Sequence, residues 1–435
     1  MTGFKLSDIP NLSGRVAIVT GGNSGLGETS CLELARNGAK VYMAARTESK
    51  AQEAIQKIKQ QVPDADIHFL QLDLTELAAV RKAADDFVSR EQRLDILLNN
   101  AGVMATPYTF TKDGLELQVG TNVVGHYLFT MLLLPTLYNT SKLPEYAKPD
   151  SPSVRIVQVS SLGHLFSPSD TSFKDLEAVN KQYKPEIKGT FDRYEKSKTG
   201  NILIANQLAR LLPKEARITN ISLNPGVVRT GLFRGPSESY GLIFNAMIFA
   251  ASRFFTAPED GALTQLYACA SLEVDRLNLN GAYIEPVAKV GKKSKIAEDK
   301  DGKLGDELFN FCNQFVKEKL GLDLVAHSQA HRLTAATLNK AERARCVHLL
   351  RSIIHPYLKD PASVLDQASV NMTRGNQRDL ARAKNQKKLA EQNKGKRSES
   401  NTSIAARKEA DAAALRAKQA AKAAKAAAEG AGGGK

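Results

Sequence analysis

Six short runs of apolar, largely β-branched residues alternate with longer amphipathic stretches over residues 15–290, and this alternation constrains the fold more than any other feature. RVAIVT (15–20), KVYMAA (40–45), IHFLQL (67–72), DILLN (95–99), RIVQVS (155–160) and RITNISL (217–223) have the length of strands. Their nearly unbroken apolar character suits strands covered on both faces, as in a parallel sheet. Stretches such as ETSCLELARNG and KAQEAIQKIKQQ between them have the composition of amphipathic helices. Strand and helix in repetition predict an α/β fold, a single doubly wound parallel sheet. Two polar, proline-containing inserts interrupt the pattern at 141–153 and roughly 164–192, and both read as surface loops.

TGGNSGLG (Thr20–Gly27) follows the first run and opens a helix. Gly21, Gly25 and Gly27, with Ser24 and Leu26 between them, let backbone approach a pyrophosphate at the positive end of that helix. Glycine-rich turns are common, and it is the strand–turn–helix setting that makes this one a dinucleotide loop. Farther along, Tyr194 and Lys198 are four residues apart, so on a helix they share a face. A free tyrosine, with a pKa of about 10, is too weak an acid to serve as a base at neutral pH. A neighbouring ammonium favours the phenolate and is expected to lower that value.

The spacing Thr-Gly-x-x-x-Gly-x-Gly resembles the short-chain dehydrogenase/reductase family, and further motifs follow in family order over roughly 14–320. Asp73 and Leu74 stand where members hold the adenine. Asn99-Asn100-Ala101-Gly102 matches the family's NNAG, which implies that Asn100, Ala101 and Gly102 line the cofactor. Asn122 in VGTNVVGHYLFT matches the catalytic asparagine that anchors a proton-relay water, and Ser161 in VSSLGH the serine that holds the substrate carbonyl. Tyr194-Glu-Lys-Ser-Lys198 matches Y-x-x-x-K; Lys198 would also hold the nicotinamide ribose. Pro225, Gly226, Val228 and Thr230 fall in the loop that holds the nicotinamide. The resemblance implies a Rossmann-like fold and an oxidoreductase interconverting a carbonyl and an alcohol.

Cofactor choice turns on the end of the second strand. An acidic residue there suits NAD, whereas a 2′-phosphate needs a cation. VYMAAR ends in Arg46, with Lys50 nearby and no acid before Glu48, which favours NADP over NAD. Ser161 and Tyr194 are 33 residues apart, a longer interval than the family's motifs usually show, so the insert between them shapes one wall of the pocket. The apolar stretch after Thr230 would form the other. Together they point to a lipophilic small-molecule substrate, in the manner of retinol-dehydrogenase-like members. A competing reading keeps the fold as a scaffold for a binding protein; the complete Asn–Ser–Tyr–Lys set speaks against it.

The rest of the chain reads differently. Sixteen Lys and Arg against six Asp and Glu between Met372 and Lys435 supply +10 of the net charge of +14. That stretch has no aromatic residue, and its low hydrophobicity with high charge predicts a disordered basic tail. MTRGNQRDLARAKNQKK, GKR (395–397) and ARKEADAAALRAKQ (406–419) resemble the small EDRK-rich factor family over about 372–420. This implies acidic or nucleic-acid partners and modulation of protein aggregation. Without a stacking platform, sequence-specific reading of RNA is not expected. The domains expected are therefore 1–322, a linker or read-through segment at 323–371, and the tail at 372–435. The unpatterned 323–371 and the in-register Met372 favour two merged reading frames over a natural fusion.

Cys31, Cys269, Cys312 and Cys346 are scattered, and with no signal-peptide profile at the start they suit a reduced, cytoplasmic protein. The run Leu242–Phe255 is too short to cross a bilayer core of roughly 30 Å. His327, His331, Cys346 and His348 have metal-ligand residue types but lack a packed scaffold, and no metal is expected. The residues alone leave homodimerisation open.

Overall fold

The computed structural model describes residues 3–148, 151–213, 216–226, 228, 258–322 and 324. The chain divides into a unit Met1–His355 and a unit Pro356–Lys435, and every described residue belongs to the first. Thr230, the Leu242–Phe255 run, the four His and Cys residues between 327 and 348, and the basic tail lie outside the described residues.

In chain order the elements are β1 (Val16–Thr20), α1 (Gly25–Arg36), β2 (Lys40–Ala45), α2 (Glu48–Gln61), β3 (Ile67–Gln71), α3 (Leu77–Arg90) and β4 (Ile96–Asn99). Then α4 (Leu117–Val119), a π turn (Gly120–Gly125) and α5 (His126–Thr140) run as one rod. They are followed by β5 (Val154–Val159), α6 (Leu176–Val179), α7 (Glu186–Leu211) and β6 (Ile218–Leu223). The described chain closes with α8 (Pro258–Ala270), α9 (Glu273–Arg276), β7 (Tyr283–Glu285), β8 (Lys289–Val290), α10 (Lys295–Glu298) and α11 (Lys303–Leu320).

All six expected strands form, in one sheet of order β3-β2-β1-β4-β5-β6-β7-β8. It is parallel except for β8, which returns antiparallel to β7. β7 and β8 are too short to show a periodic pattern in the sequence. Successive strand residues feed opposite layers. Val16 and Ile18 pack in the layer of α3, α5, α7 and α11, while Ala17 and Val19 pack in that of α1, α2 and α8. The strand order reverses between β1 and β4, and in open α/β sheets the crevice at such a point receives the ligand. The glycine turn after β1 and NNAG after β4 both open there.

The rod Leu117–Thr140 is apolar on every side, and by length and composition alone it could cross a membrane. Here 89% of its most apolar window is buried, because β-strands, α3, α7 and α11 surround it. α11 covers the outer side of α5 and α7: Phe309 lies edge-on to Tyr127 at 4.9 Å, and the Tyr127 hydroxyl donates to Asn313 Oδ1 at 2.7 Å.

The two inserts are not the surface loops that their polarity predicts. Tyr146, in the first, is fully buried; its hydroxyl bonds Asp95, and Arg217 donates to its carbonyl at 2.9 Å. The second insert carries α6 and buries Phe173 and Val179. Its anchor is Arg193, one residue before Tyr194. Arg193 pairs with Glu116 and Glu186 and donates to the Gln182 and Thr106 carbonyls. One or two apolar residues in each polar insert decide its path, because a buried aromatic outweighs several solvated neighbours.

Candidate active site

Gly21 (φ +65°) and Gly25 (φ +54°) hold the turn between β1 and α1 in left-handed backbone, which costs glycine little. Gly27 permits a close approach: a Cβ there would lie 2.3 Å from the Gly21 carbonyl oxygen. Ser24 is the N-cap of α1, but its side chain makes no capping bond. The first-turn N–H groups of α1 are thus free of a side-chain cap, the arrangement that receives a phosphate. Leu26 and Val228 both pack against Gly261, which joins the glycine turn to the loop after β6. In that loop Gly226 (φ +88°) donates its N–H to Asn224 Oδ1 at 3.0 Å and, with Pro225, is partly buried.

The NNAG motif is pinned to the same strand end. Thr20 Oγ1 accepts from the N–H groups of Asn100 and Ala101, each at 2.9 Å, and Asn100 Nδ2 donates to the Thr20 carbonyl at 2.8 Å. Arg46 and Asp73 follow the ends of neighbouring strands β2 and β3, Arg46 exposed and Asp73 partly buried. Asp73 Oδ1 accepts from the Thr75 N–H at 3.0 Å, while Leu74 is buried beneath Gly125. The glycines, the uncapped helix end and the tethered NNAG form a cradle that fits a dinucleotide.

Tyr194 and Lys198 lie on one face of α7, both buried, with the Lys198 Nζ 5.6 Å from the Tyr194 ring centre. Gly163 borders both Tyr194 and Ser161: a Cβ on it would lie 3.4 Å from Tyr194 Cε1 and 3.6 Å from Ser161 Oγ, and Ser161 Oγ accepts from the Gly163 N–H at 3.1 Å. Lys198 Nζ donates to the Val159 carbonyl at 2.9 Å. Gly102 separates Lys198 from Asn122: a Cβ on it would lie 3.3 Å from Asn122 Oδ1 and 3.5 Å from Lys198 Nζ. Asn122 sits in the π turn, accepting from the Val103 N–H and donating to the Val103 carbonyl and to Ser197 Oγ, each at 2.9 Å. Ser197 in turn donates to the Tyr194 carbonyl at 2.6 Å. Asn122, Ser161, Tyr194 and Lys198 are therefore brought together, tied by Ser197, a residue of the YEKSK segment with no role in the sequence reading.

Burial sets the acidities. It pushes the Tyr194 hydroxyl up to about 12 against the opposing Ser161 hydrogen bond, and pulls Lys198 down to about 8. Tyr194 is therefore a neutral phenol at neutral pH from the protein's own groups. The lowering expected from Lys198 does not outweigh desolvation. Among the described residues no group of three or more His, Cys, Asp or Glu is arranged to hold a metal.

A sheet with its switch-point cradle and this four-residue cluster defines a class of nucleotide-dependent oxidoreductase. The chain belongs to the short-chain dehydrogenase/reductase family. The family model "short chain dehydrogenase" matches residues 15–168. An uncharacterized oxidoreductase of Schizosaccharomyces pombe is 41% identical over 319 residues, 72% of this chain and 88% of the relative. A short-chain dehydrogenase/reductase of Armillaria gallica is 41% identical over 317 residues, 72% of this chain and 94% of the relative. A solved structure of an uncharacterized protein from Mycobacterium Paratuberculosis, 27% identical, superposes with a TM-score of 0.54 over 73% of this chain and 98% of that one. Residues 372–409 match a second model, "Small EDRK-rich factor 1/2-like, N-terminal". The body of the chain is thus an oxidoreductase acting on carbonyl or alcohol groups, followed by a segment that resembles the second family.

Proposed function

We propose that the chain is an NADP-dependent oxidoreductase that interconverts a carbonyl and an alcohol on a lipophilic small molecule, with Tyr194 as the acid and base. The observation that carries the reading is the convergence of Tyr194, Ser161, Lys198 and Asn122 beside the glycine cradle. Gly21, Ser24, Gly25, Leu26 and Gly27 would take the pyrophosphate. Asp73 and Leu74 would border the adenine, and Asn100, Ala101 and Gly102 the ribose. Pro225, Gly226, Val228 and Thr230 would take the nicotinamide. Arg46, exposed past the end of β2, would meet a 2′-phosphate.

When bound, the nicotinamide exchanges a hydride with the substrate carbon. Ser161 and Tyr194 direct their hydroxyls at the substrate oxygen. In reduction the neutral Tyr194 donates its proton to that oxygen as negative charge develops, and Lys198 stabilises the phenolate left behind. In oxidation the same phenolate takes the proton back, with the positive charges of Lys198 and the oxidised cofactor offsetting the cost of burial. Leu162, Leu165 and Phe166 are exposed on the turn that follows Ser161, which supports an apolar substrate. Buried, unpaired Cys31, Cys269 and Cys312 suit a reducing, cytoplasmic setting. The enzyme domain spans 1–322, with 323–371 a linker or read-through and 372–435 an appended basic segment.

Tyr194→Phe is expected to lower carbonyl-dependent NADPH oxidation by at least about 100-fold. NADPH binding, followed by its fluorescence, should stay within a few-fold of the parent. Survival of activity would end the role of Tyr194, and a parent enzyme that turns over NADH faster than NADPH would end the choice of cofactor.

A further inference from the structure

His126 opens α5, directly after the π turn, and the mechanism above does not use it. Its ring is fully buried, with Nδ1 3.0 Å from the Asn122 carbonyl oxygen and Nε2 2.9 Å from Thr20 Oγ1. A carbonyl only accepts, so Nδ1 carries the hydrogen and Nε2 is an acceptor. The Thr20 hydroxyl donates to that acceptor in preference to the Leu98 carbonyl, which lies farther away at 3.5 Å. Burial pulls the imidazole down to about 4, so the ring keeps this neutral form at working pH. From the other side Asn201 Nδ2 donates to the same Asn122 carbonyl at 2.7 Å. Asn201 makes that bond with its own Oδ1 left buried and without a partner among the described residues.

We propose that His126 is a positioning residue that clamps the Asn122 carbonyl to the cofactor-side end of the sheet. The clamp is continuous. Asn100 and Ala101 bond Thr20, Thr20 bonds His126, and His126 holds the carbonyl against Asn201. The Asn122 side chain then fixes Val103 in both directions, and Gly102 beside it touches the space of Lys198. A displacement of Asn122 is thereby passed to the Lys198 ammonium, where an error near 1 Å costs about 100-fold in rate. This inference rests on the reading that Tyr194 and Lys198 perform the chemistry.

Three substitutions in the full chain test it, with kcat, KM for NADPH and the melting temperature measured for each. His126→Gln fills the space and offers an acceptor near the place of Nε2 but no donor near Nδ1. It should lower kcat by about 10- to 100-fold with KM for NADPH within about threefold. His126→Ala should do the same where it folds. His126→Asn places an amide N–H where Nδ1 stands and should recover at least half of the lost activity on a logarithmic scale. Unchanged kcat in His126→Gln, a loss in His126→Asn as deep as in His126→Gln, or an effect confined to KM for NADPH would each overturn the clamp. Tyr194→Phe is assayed in parallel. If it remains active, the functional reading fails; if it is inactive while His126→Gln is not, only the clamp fails.

Discussion

Tyr194 and Lys198 are four apart and share a helix face as their spacing requires. The sign of the Tyr194 shift was not legible, because it depends on depth: both residues are almost fully buried, and desolvation leads. Lys198 yields a stability prediction. In the unfolded chain it is charged up to about pH 10.5, whereas burial leaves it charged in the folded chain only up to about 8. Folding therefore carries the full cost of the buried charge below pH 8 and sheds it as pH rises from 8 towards 10.5. That cost is at most about 3 kcal/mol. Lys198→Met should abolish turnover and yet raise the melting temperature by a few degrees at pH 7, with the gain shrinking towards pH 10. A gain independent of pH, or none at pH 7, would contradict this account.

At the scale of elements, the apolar rod α4–π–α5 and α11 depend on each other. α5 is apolar on every side and needs a cover; α11 supplies it with Leu308, Phe309, Cys312, Phe315 and Val316. Phe309 is 1% exposed and meets Tyr127 edge-on. Phe309→Ala should cost about 3–5 kcal/mol through the cavity it opens, read as a lower urea midpoint. A loss below about 1 kcal/mol would mean that α11 is not part of the cooperative core. The apolar spacing of KLGDELFNFCNQFVKEKL is enough to mark a helix, but nothing local tells that its partners are α5 and α7. The inserts teach the same lesson. Their polarity marks loops, and their docking depends on groups from distant segments: Arg217 on the Tyr146 carbonyl, and Glu116 paired with Arg193 beside the second insert.

At the scale of the molecule, charge and chemistry are separate. The four-residue cluster and its cradle lie within the first 230 residues, whereas +10 of the +14 net charge lies after Asn371, in the segment that matches the second family. Removal of 372–435 should leave NADPH-dependent turnover within about twofold. It should also lower the salt needed to elute the protein from an immobilised polyanion, since the basic segment supplies the screened, long-range attraction. A loss of turnover would tie the tail to catalysis. In a digest of the native protein, a peptide crossing Asn371–Met372 would refute the merging of two reading frames.

The sequence by itself determined the α/β class, the six main strands and the order of the motifs. Each of these is written in local spacing: two residues of a strand facing opposite layers, four residues of a helix facing one side, glycines where backbone must come close. Only the tertiary structure decided how deep the tyrosine and lysine sit, where the inserts dock, and which groups hold the Asn122 carbonyl. Thr20 and His126 are 106 residues apart, and no periodicity links them. Their bond exists because β1 and the rod are packed together: burial keeps the ring neutral, and the Asn122 carbonyl at Nδ1 fixes the tautomer that makes it.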